Sequence, residues 1–456
     1  MRFSGEKSGQ HVIIIGAGTG GLCLAHGLRR AGISVAVYER DRTRRDGLQG
    51  YRVGIDPDGS RALYDALPKE LFDVFVATCA RTPKFFNMLT EKRKELLSMG
   101  GWDDNVDDDP RNSEKSVSRM TLRQVLLTGM EDVVHFDKVF SRFEQHDDGT
   151  VTAFFEDGTS AVGTLLVGAD GSNSRVRKQY LPHAKTKDTG IISVTGKVPL
   201  TPETEKLLTP KIAHGVTMVN APGGYASIIH VMVFPWDAKG APKSGIGSSD
   251  AEMIASWPGL AFDNTRDYIS WGFGGAARNL PDNVTEMTSR QLYDLVGEYT
   301  KKWHPDFRKL FSLSDPDSCF TIRIRTSEPI PKWKASNVTL IGDAIHTMTP
   351  GRGVGANTAL RDARLLKDNL VAARDGKTSV IKAVDDYETK MIDYGFDAVK
   401  ESLKQMSGDD PVHKPVIGRM MLAGMRTGMR VINNVPPIKK KMERSQAEYR
   451  GKDREE

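Results

Sequence analysis

His11-Val-Ile-Ile-Ile-Gly-Ala-Gly-Thr-Gly-Gly-Leu-Cys-Leu-Ala-His-Gly-Leu-Arg-Arg-Ala-Gly-Ile-Ser-Val-Ala-Val-Tyr-Glu-Arg40 decides the fold. Val12 to Ile15 is a short β-branched run, suited to a strand buried on both faces. Leu22, Leu24, Ala25 and Leu28 follow at helical spacing, Gly32 ends the helix, and Ile33 to Tyr38 alternates back into a strand. The whole is a β-α-β unit. Between the first strand and the helix stands Gly16-x-Gly18-x-x-Gly21. In such a loop the first glycine permits the tight turn, the second lets a pyrophosphate reach the backbone, and the third allows close helix–strand packing. The helix N-terminus offers amides and partial positive charge to phosphates. Glu39, 18 residues beyond Gly21 and followed by Arg40, is placed for an adenosine ribose with a free 2′-hydroxyl, which favours FAD or NAD over NADP.

Outward from this unit, Arg81 to Glu114 is charge-rich, with an acidic patch at Asp103–Asp109 and few strand signals, and reads as an excursion from the first domain. Arg119 to Met130 has helical periodicity. Val139 to Val162 holds two alternating runs joined through Asp148-Gly149, a hairpin signal. Residues 186–321 carry long alternating segments, including Tyr225–Phe234 and Tyr268–Phe273, with a helix near Ser289–Trp303. They predict a mostly antiparallel sheet in a second domain. A helix is expected from Gly355 to Ala373, and the tail from Ser379 is helical in pattern, with a break around Gly408–Pro415.

Composition excludes several classes. The 456 residues carry 64 Lys+Arg against 59 Asp+Glu, a net charge of +5, without a basic stripe interleaved with aromatics, so nucleic acid is not an expected partner. Cys23, Cys79 and Cys319 are scattered and odd in number, which argues against a disulfide framework or a zinc site and for a reducing, cytoplasmic setting. Met1 to Gln10 is too polar for a signal peptide, and no apolar run reaches the ~18–20 residues that span a bilayer. A soluble monomer or homodimer is expected.

Two further stretches specify the dinucleotide. Leu165-Leu-Val-Gly-Ala-Asp-Gly-Ser-Asn-Ser-Arg-Val-Arg177 and Val338-Thr-Leu-Ile-Gly-Asp-Ala-Ile-His-Thr-Met-Thr-Pro-Gly-Arg-Gly-Val-Gly-Ala-Asn357 each place an acid just after a buried strand. With the N-terminal loop they resemble the flavin-dependent aromatic hydroxylases of the p-hydroxybenzoate hydroxylase type, a group that includes tetracycline-inactivating and natural-product tailoring monooxygenases. The resemblance covers most of residues 11–400 and is only an outline in the central region. It implies a discontinuous Rossmann-like FAD-binding domain of the GR2 type, over 8–80, 115–185 and 322–375. Into it is inserted a mostly antiparallel substrate domain over 81–114 and 186–321, and C-terminal helices follow over 376–456.

The implied activity is monooxygenation with NADPH or NADH and O2 through a flavin C4a-hydroperoxide. It would hydroxylate or epoxidise a bulky aromatic or polycyclic substrate in natural-product biosynthesis or aromatic catabolism. Carried over by position, Asp343 matches the aspartate at the ribityl chain, and Gly355 and Ala356 match the glycine-rich loop near the isoalloxazine. Asp170 matches the motif tied to both FAD and NAD(P)H contact. Arg119 matches an FAD-contacting arginine, and Arg52 falls in the segment Gly50 to Arg61 that follows the ribose site. Ile345 departs from the family's usual alanine. Lys197 stands where relatives often carry an arginine, and with Tyr225 it is the candidate catalytic pair of the substrate domain; His214, His230 and Arg323 are further candidates. His346 reads as packing beside the flavin loop. A reductase or dehydrogenase on the same fold is the alternative; a halogenase would carry a W-x-W-x-I-P stretch, which none of the six Trp forms. The basic Ile438–Met442 segment reads as a solvated helix end, with the semi-apolar Met420–Val431 stretch as a conceivable interfacial helix.

Overall fold

A computed structural model describes residues 9–44, 52–100, 109–236 and 266–449. Gly50, most of the Asp103–Asp109 patch and the last residues of the polar tail lie outside the described residues. The first sheet is five-stranded and wholly parallel. Its order is Val338–Leu340, Leu165–Gly168, His11–Ile15, Ser34–Tyr38, Val134–His135. Ile13, Ile14, Leu165, Leu166 and Val167 are fully buried, as a sheet covered on both faces requires. The Thr19–Arg30 helix packs against the Gly355–Arg374 helix; a Cβ on Gly20 would stand 3.2 Å from Ala359. Segments far apart in sequence thus build one core. A three-stranded antiparallel sheet, Phe140–Gln145, Val151–Phe155 and Ser160–Gly163, flanks it, with Gly149 (φ 83°) at the expected hairpin turn. The helix begun at Arg119 ends at Leu127, short of Met130, because Gly129 turns the chain at φ 74°.

The second sheet has seven strands. Their order is Phe320–Ser327, Thr186–Pro199, Tyr268–Ala276, Ala226–Met232, Gly215–Asn220, Phe85–Thr90, Glu95–Met99. All neighbours are antiparallel except Gly215–Asn220 with Phe85–Thr90. Two features differ from the sequence expectation. The charge-rich excursion contains two strands, and Phe320–Ser327 pairs with this sheet, across the 321/322 division. Leu96 to Met99 are buried consecutively, so the alternation that marks a one-sided strand is missing there. The outer face of the sheet packs on the helices Ser289–Thr300 and Pro305–Ser312 through Trp271, Phe273, Trp303 and Phe311.

A two-stranded ladder, Arg52–Ile55 with Lys115–Ser118, lies where the two sheets meet; the Ser116 hydroxyl is 3.5 Å from Met232 Sδ. Helices Val380–Gln405, Ile417–Asn434 and Pro436–Tyr449 complete the chain, the break between the first two holding a 3-10 turn at Pro411–His413. Among the described residues no helix is long and apolar enough to cross a membrane, and no group of three potential metal ligands occurs.

Candidate active site

The loops that follow four of the parallel strands line a cleft of about 470 Å³; the loop after Val338–Leu340 lies outside its walls. Gly16 (φ +108°) is obligatory: a Cβ there would stand 2.5 Å from the Ala169 carbonyl oxygen, and one on Gly21 would stand 2.3 Å from the Gly16 oxygen. Gly18 is different. A Cβ there would meet nothing within 4 Å, so the protein itself does not demand glycine at this position. The Thr19–Arg30 helix begins beside it with no side-chain cap, leaving its first amides to the cleft.

Glu39 is buried at the cleft edge. One carboxylate oxygen accepts from Ala17 N at 2.7 Å and the other from Asp41 N at 3.0 Å, leaving acceptor capacity on each. Arg40 and Arg119 line the same cleft. So does Arg123, which sequence reading missed: its Nη2 is 2.8 Å from Asp41 Oδ2 and 3.8 Å from Glu39 Oε2. Its signal was the i, i+4 spacing from Arg119, which puts both guanidiniums on one helix face.

Asp170 lines the cleft and closes its own loop. It accepts from the Ser174 hydroxyl at 2.5 Å and from Arg175 N at 2.7 Å. Burial raises its carboxyl above the usual range, against the pull of these donors. Arg177 then joins this motif to the third one, donating to Ser172 O at 2.9 Å and to Ala344 O at 2.7 Å.

Asp343 opens the short helix Asp343–His346 after Gly342, which adopts φ 59°. Its side chain reaches open space, yet so much protein surrounds it that desolvation raises its carboxyl; the charges of His346 and Arg119 pull the other way. His346 is buried, 2.6 Å from Asp362, whose carboxylate also accepts from Gly342 N at 2.7 Å and Tyr394 OH at 2.5 Å. Burial works against a charge on His346, but Asp362 outweighs it and the imidazole is raised above its ordinary value. The packing reading of His346 thus gains an ionic partner. Asp362 was legible only as an acid on the buried stripe of the Gly355–Arg374 helix.

Gly355 and Ala356 form the first turn of that helix, again without a side-chain cap. The neighbouring Asn357 ties this turn to the Arg52–Ile55 strand, donating to Gly54 O at 3.0 Å and accepting from Asp56 N at 3.1 Å. Arg52 donates to the Ser116 hydroxyl at 2.6 Å, and its charge is felt at His230 on the seven-stranded sheet. The Gly355 turn and the seven-stranded sheet are therefore joined at this ladder.

Register places Lys197, Ser270 and His230 on the sheet face opposite the packed helices, together with Ser193, Thr195, Ile228, Met218 and Phe86. The Lys197 ammonium sits 4.0 Å from the Tyr268 ring centroid. His230 Nδ1 is buried and meets no hydrogen-bond partner among the described residues; burial, then the Arg52 charge, hold the imidazole well below its ordinary value. Tyr225 is not brought to this face. It stacks on Phe273, meets Tyr299 edge-on, and donates to Asn279 O at 2.7 Å, all within the helix-packed core. His214 lies at the end of a short helical turn, and Arg323 pairs with Asp188 at 3.0 Å, half exposed.

Residues 297–402 match the family model described as an FAD binding domain, and residues 14–45 match that of an NAD(P)-binding Rossmann-like domain. A solved structure from Photorhabdus luminescens, described as an FAD-containing monooxygenase, is 33% identical with a TM-score of 0.74. It aligns over 87% of this chain and 97% of its own. The dual O-methyltransferase/FAD-dependent monooxygenase elcB of Phaeosphaeria nodorum is 32% identical over 77% of this chain but only 39% of its own length. The chain spans less than half the length of the first curated relatives it matches. The FAD-dependent monooxygenase thnD of Trichoderma harzianum is 29% identical over 87% of this chain and 93% of its own.

Proposed function

The chain belongs to the FAD-dependent monooxygenases, and on that premise we propose that it couples oxidation of NADH or NADPH to insertion of one oxygen atom of O2 into a bulky aromatic or polycyclic small molecule. The cleft residues fit FAD. A glycine that no protein neighbour demands, beside uncapped helix amides, suits a pyrophosphate against the backbone. Glu39 would accept from the adenosine ribose, Arg119 would lie along the phosphates, and Asp343 would hold ribityl hydroxyls that offset the cost of its desolvation. The uncapped turn at Gly355 and Ala356 would present amides to a developing negative charge on the ring. FAD, when bound, supplies the electron transfer and the oxygen activation.

The rest falls to the chain itself, and the inner face of the seven-stranded sheet carries the substrate part of this reading. Polar groups at Ser193, Thr195, Lys197, Ser270 and His230 are framed by Ile228, Met218 and Phe86, the composition of a pocket that buries rings and orients them by a few polar contacts. An uncharged His230 can accept a hydrogen bond from a phenolic hydroxyl, and the Arg52 and Lys197 cations would favour the phenolate over the phenol. Met232, buried against Ser116 of the two-stranded ladder, would help to keep water from this junction.

The purified chain is expected to be yellow, and to oxidise NADH or NADPH faster with a matching aromatic compound while taking up O2. Oxidation of the nicotinamide without oxygen uptake would make it a reductase. Failure to retain or take up FAD would end the reading altogether.

A further inference from the structure

Six of the nine large apolar side chains exposed among the described residues fall within 23 positions: Val416, Ile417, Met420, Met421, Val431 and Ile438. Val416 and Met420 are 72% and 73% exposed. The first five belong to the Ile417–Asn434 helix and its N-cap, where successive residues turn by about 100°, so they form one outward stripe rather than scattered contacts. Arg419 and Arg430 are exposed along its edge. The charge pattern is one-sided as well. From Pro411 to Met442 the sequence has seven Lys and Arg and no Asp or Glu.

The opposite side of this helix is firmly held. Arg426 turns inward to Glu91 and donates to Asn220 O at 2.7 Å, Asn433 accepts from Ser98 N at 3.1 Å, and Leu422 is buried. On the helix that follows, Glu443 accepts from Gly100 N at 3.1 Å. The stripe is therefore presented on a fixed element and is not the core face of a helix that has swung out.

We propose that the outer face of residues 416–441 docks on an anionic lipid surface, with the apolar stripe entering the headgroup region and Arg419, Arg430, Lys440 and Lys441 meeting lipid phosphates and carboxylates. A helix with an apolar face, a cationic flank and little overall hydrophobicity lies in a membrane interface and does not span it. Charge selects this occupant. A two-fold contact with a second copy would set the same cations against one another, whereas an anionic leaflet complements every one of them. The proposal is independent of the reaction proposed above.

The test is flotation of the full chain with vesicles of phosphatidylcholine, with and without about 30% phosphatidylserine. The chain should float with the anionic vesicles at least ~10-fold more than with the neutral ones, and lose most of that binding at about 0.5 M NaCl. Val416→Asp/Met420→Asp should abolish flotation, Arg419→Glu/Arg430→Glu should reduce it ~10-fold, and Ile381→Asp, an exposed apolar site elsewhere, should leave it unchanged. Should the aspartate pair impair folding, judged by circular dichroism, Met420→Gln/Val431→Gln carries the same expectation. The proposal is overturned by three results: no binding to anionic vesicles, full binding by the stripe variants, or a dimer that the stripe variants dissolve in a chain that ignores vesicles.

Discussion

At the scale of single residues, the buried ionisable groups make the sharpest claims. His346 and Asp362 are both almost fully buried, and Asp362 gathers His346, Tyr394 and the Gly342 amide. Removing one member of such a pair strands the other, at about 3–5 kcal/mol. Asp362→Asn is therefore expected to lose stability of that order in urea unfolding. The pH dependence has a definite sign. A histidine raised on folding is protonated more tightly in the folded state, so its contribution is complete below about pH 6.5 and is lost as pH rises through the raised folded value. The stability difference between wild type and His346→Gln should shrink from pH 6 to alkaline pH; a constant difference would contradict the ionic pair.

Glu388 runs the other way. It is buried on the Val380–Gln405 helix, accepts from the Thr339 hydroxyl at 2.8 Å, and burial pushes its carboxyl up to about 7. The folded state keeps a proton that the unfolded chain releases, so stability falls as pH rises from the ordinary carboxylate range to about 7. Glu388→Gln keeps an acceptor for Thr339 and cannot ionise. It should stabilise the chain by about 3 kcal/mol at pH 8 and by little at pH 4, measured by the same unfolding titration.

At the scale of elements, strand alternation separates two residues that sequence reading paired. Lys197 shares its face with Ser270 and His230, whereas Tyr225 fills the core beneath the helix Ser289–Thr300. Tyr225→Phe deletes one hydrogen bond to Asn279 and should cost about 1 kcal/mol of stability with kcat and KM unchanged. Lys197→Met should raise KM for the aromatic substrate, or lower the O2 uptake coupled to it, with stability within about 1 kcal/mol of wild type. The reverse pattern in steady-state assays would place the pocket on the other face.

The same elements show what local sequence carries. The His11–Tyr38 unit was legible because its strands are buried on both faces and its helix on one, each with its own period. The Phe85–Met99 hairpin was not, because the Ile417–Asn434 helix covers the last strand from more than 300 residues away and erases its alternation. The site divides likewise. Gly16, Gly21 and Glu39 stand out by local spacing and Asp343 only through the family resemblance, while Arg123, Asp362 and Asn357 have partners that only the folded chain supplies.

At the scale of the whole molecule, the cleft is where distant segments are tied together. Its walls come from the Gly16 loop, Glu39, Arg119 and Arg123, and Asp170, and Arg177 links them to the Asp343 loop. A ligand that spans these segments binds the folded chain and not the unfolded one, so it stabilises by mass action, about 2.7 kcal/mol at a hundred times its Kd. FAD added to the stripped chain should therefore raise the unfolding midpoint in a concentration-dependent way. Because the Arg52–Ile55 ladder couples the cleft's core to the seven-stranded sheet through Ser116, Met232 and Asn357, hydrogen exchange should slow in both sheets together. Glu39→Ala removes the acceptor at the ribose end and also frees the Ala17 and Asp41 amides, so it should weaken FAD binding ~10-fold or more and shift the FAD-dependent rise to correspondingly higher concentration. Protection confined to the parallel sheet would show that the two sheets unfold separately, and an unchanged midpoint with FAD would remove the cleft from the site.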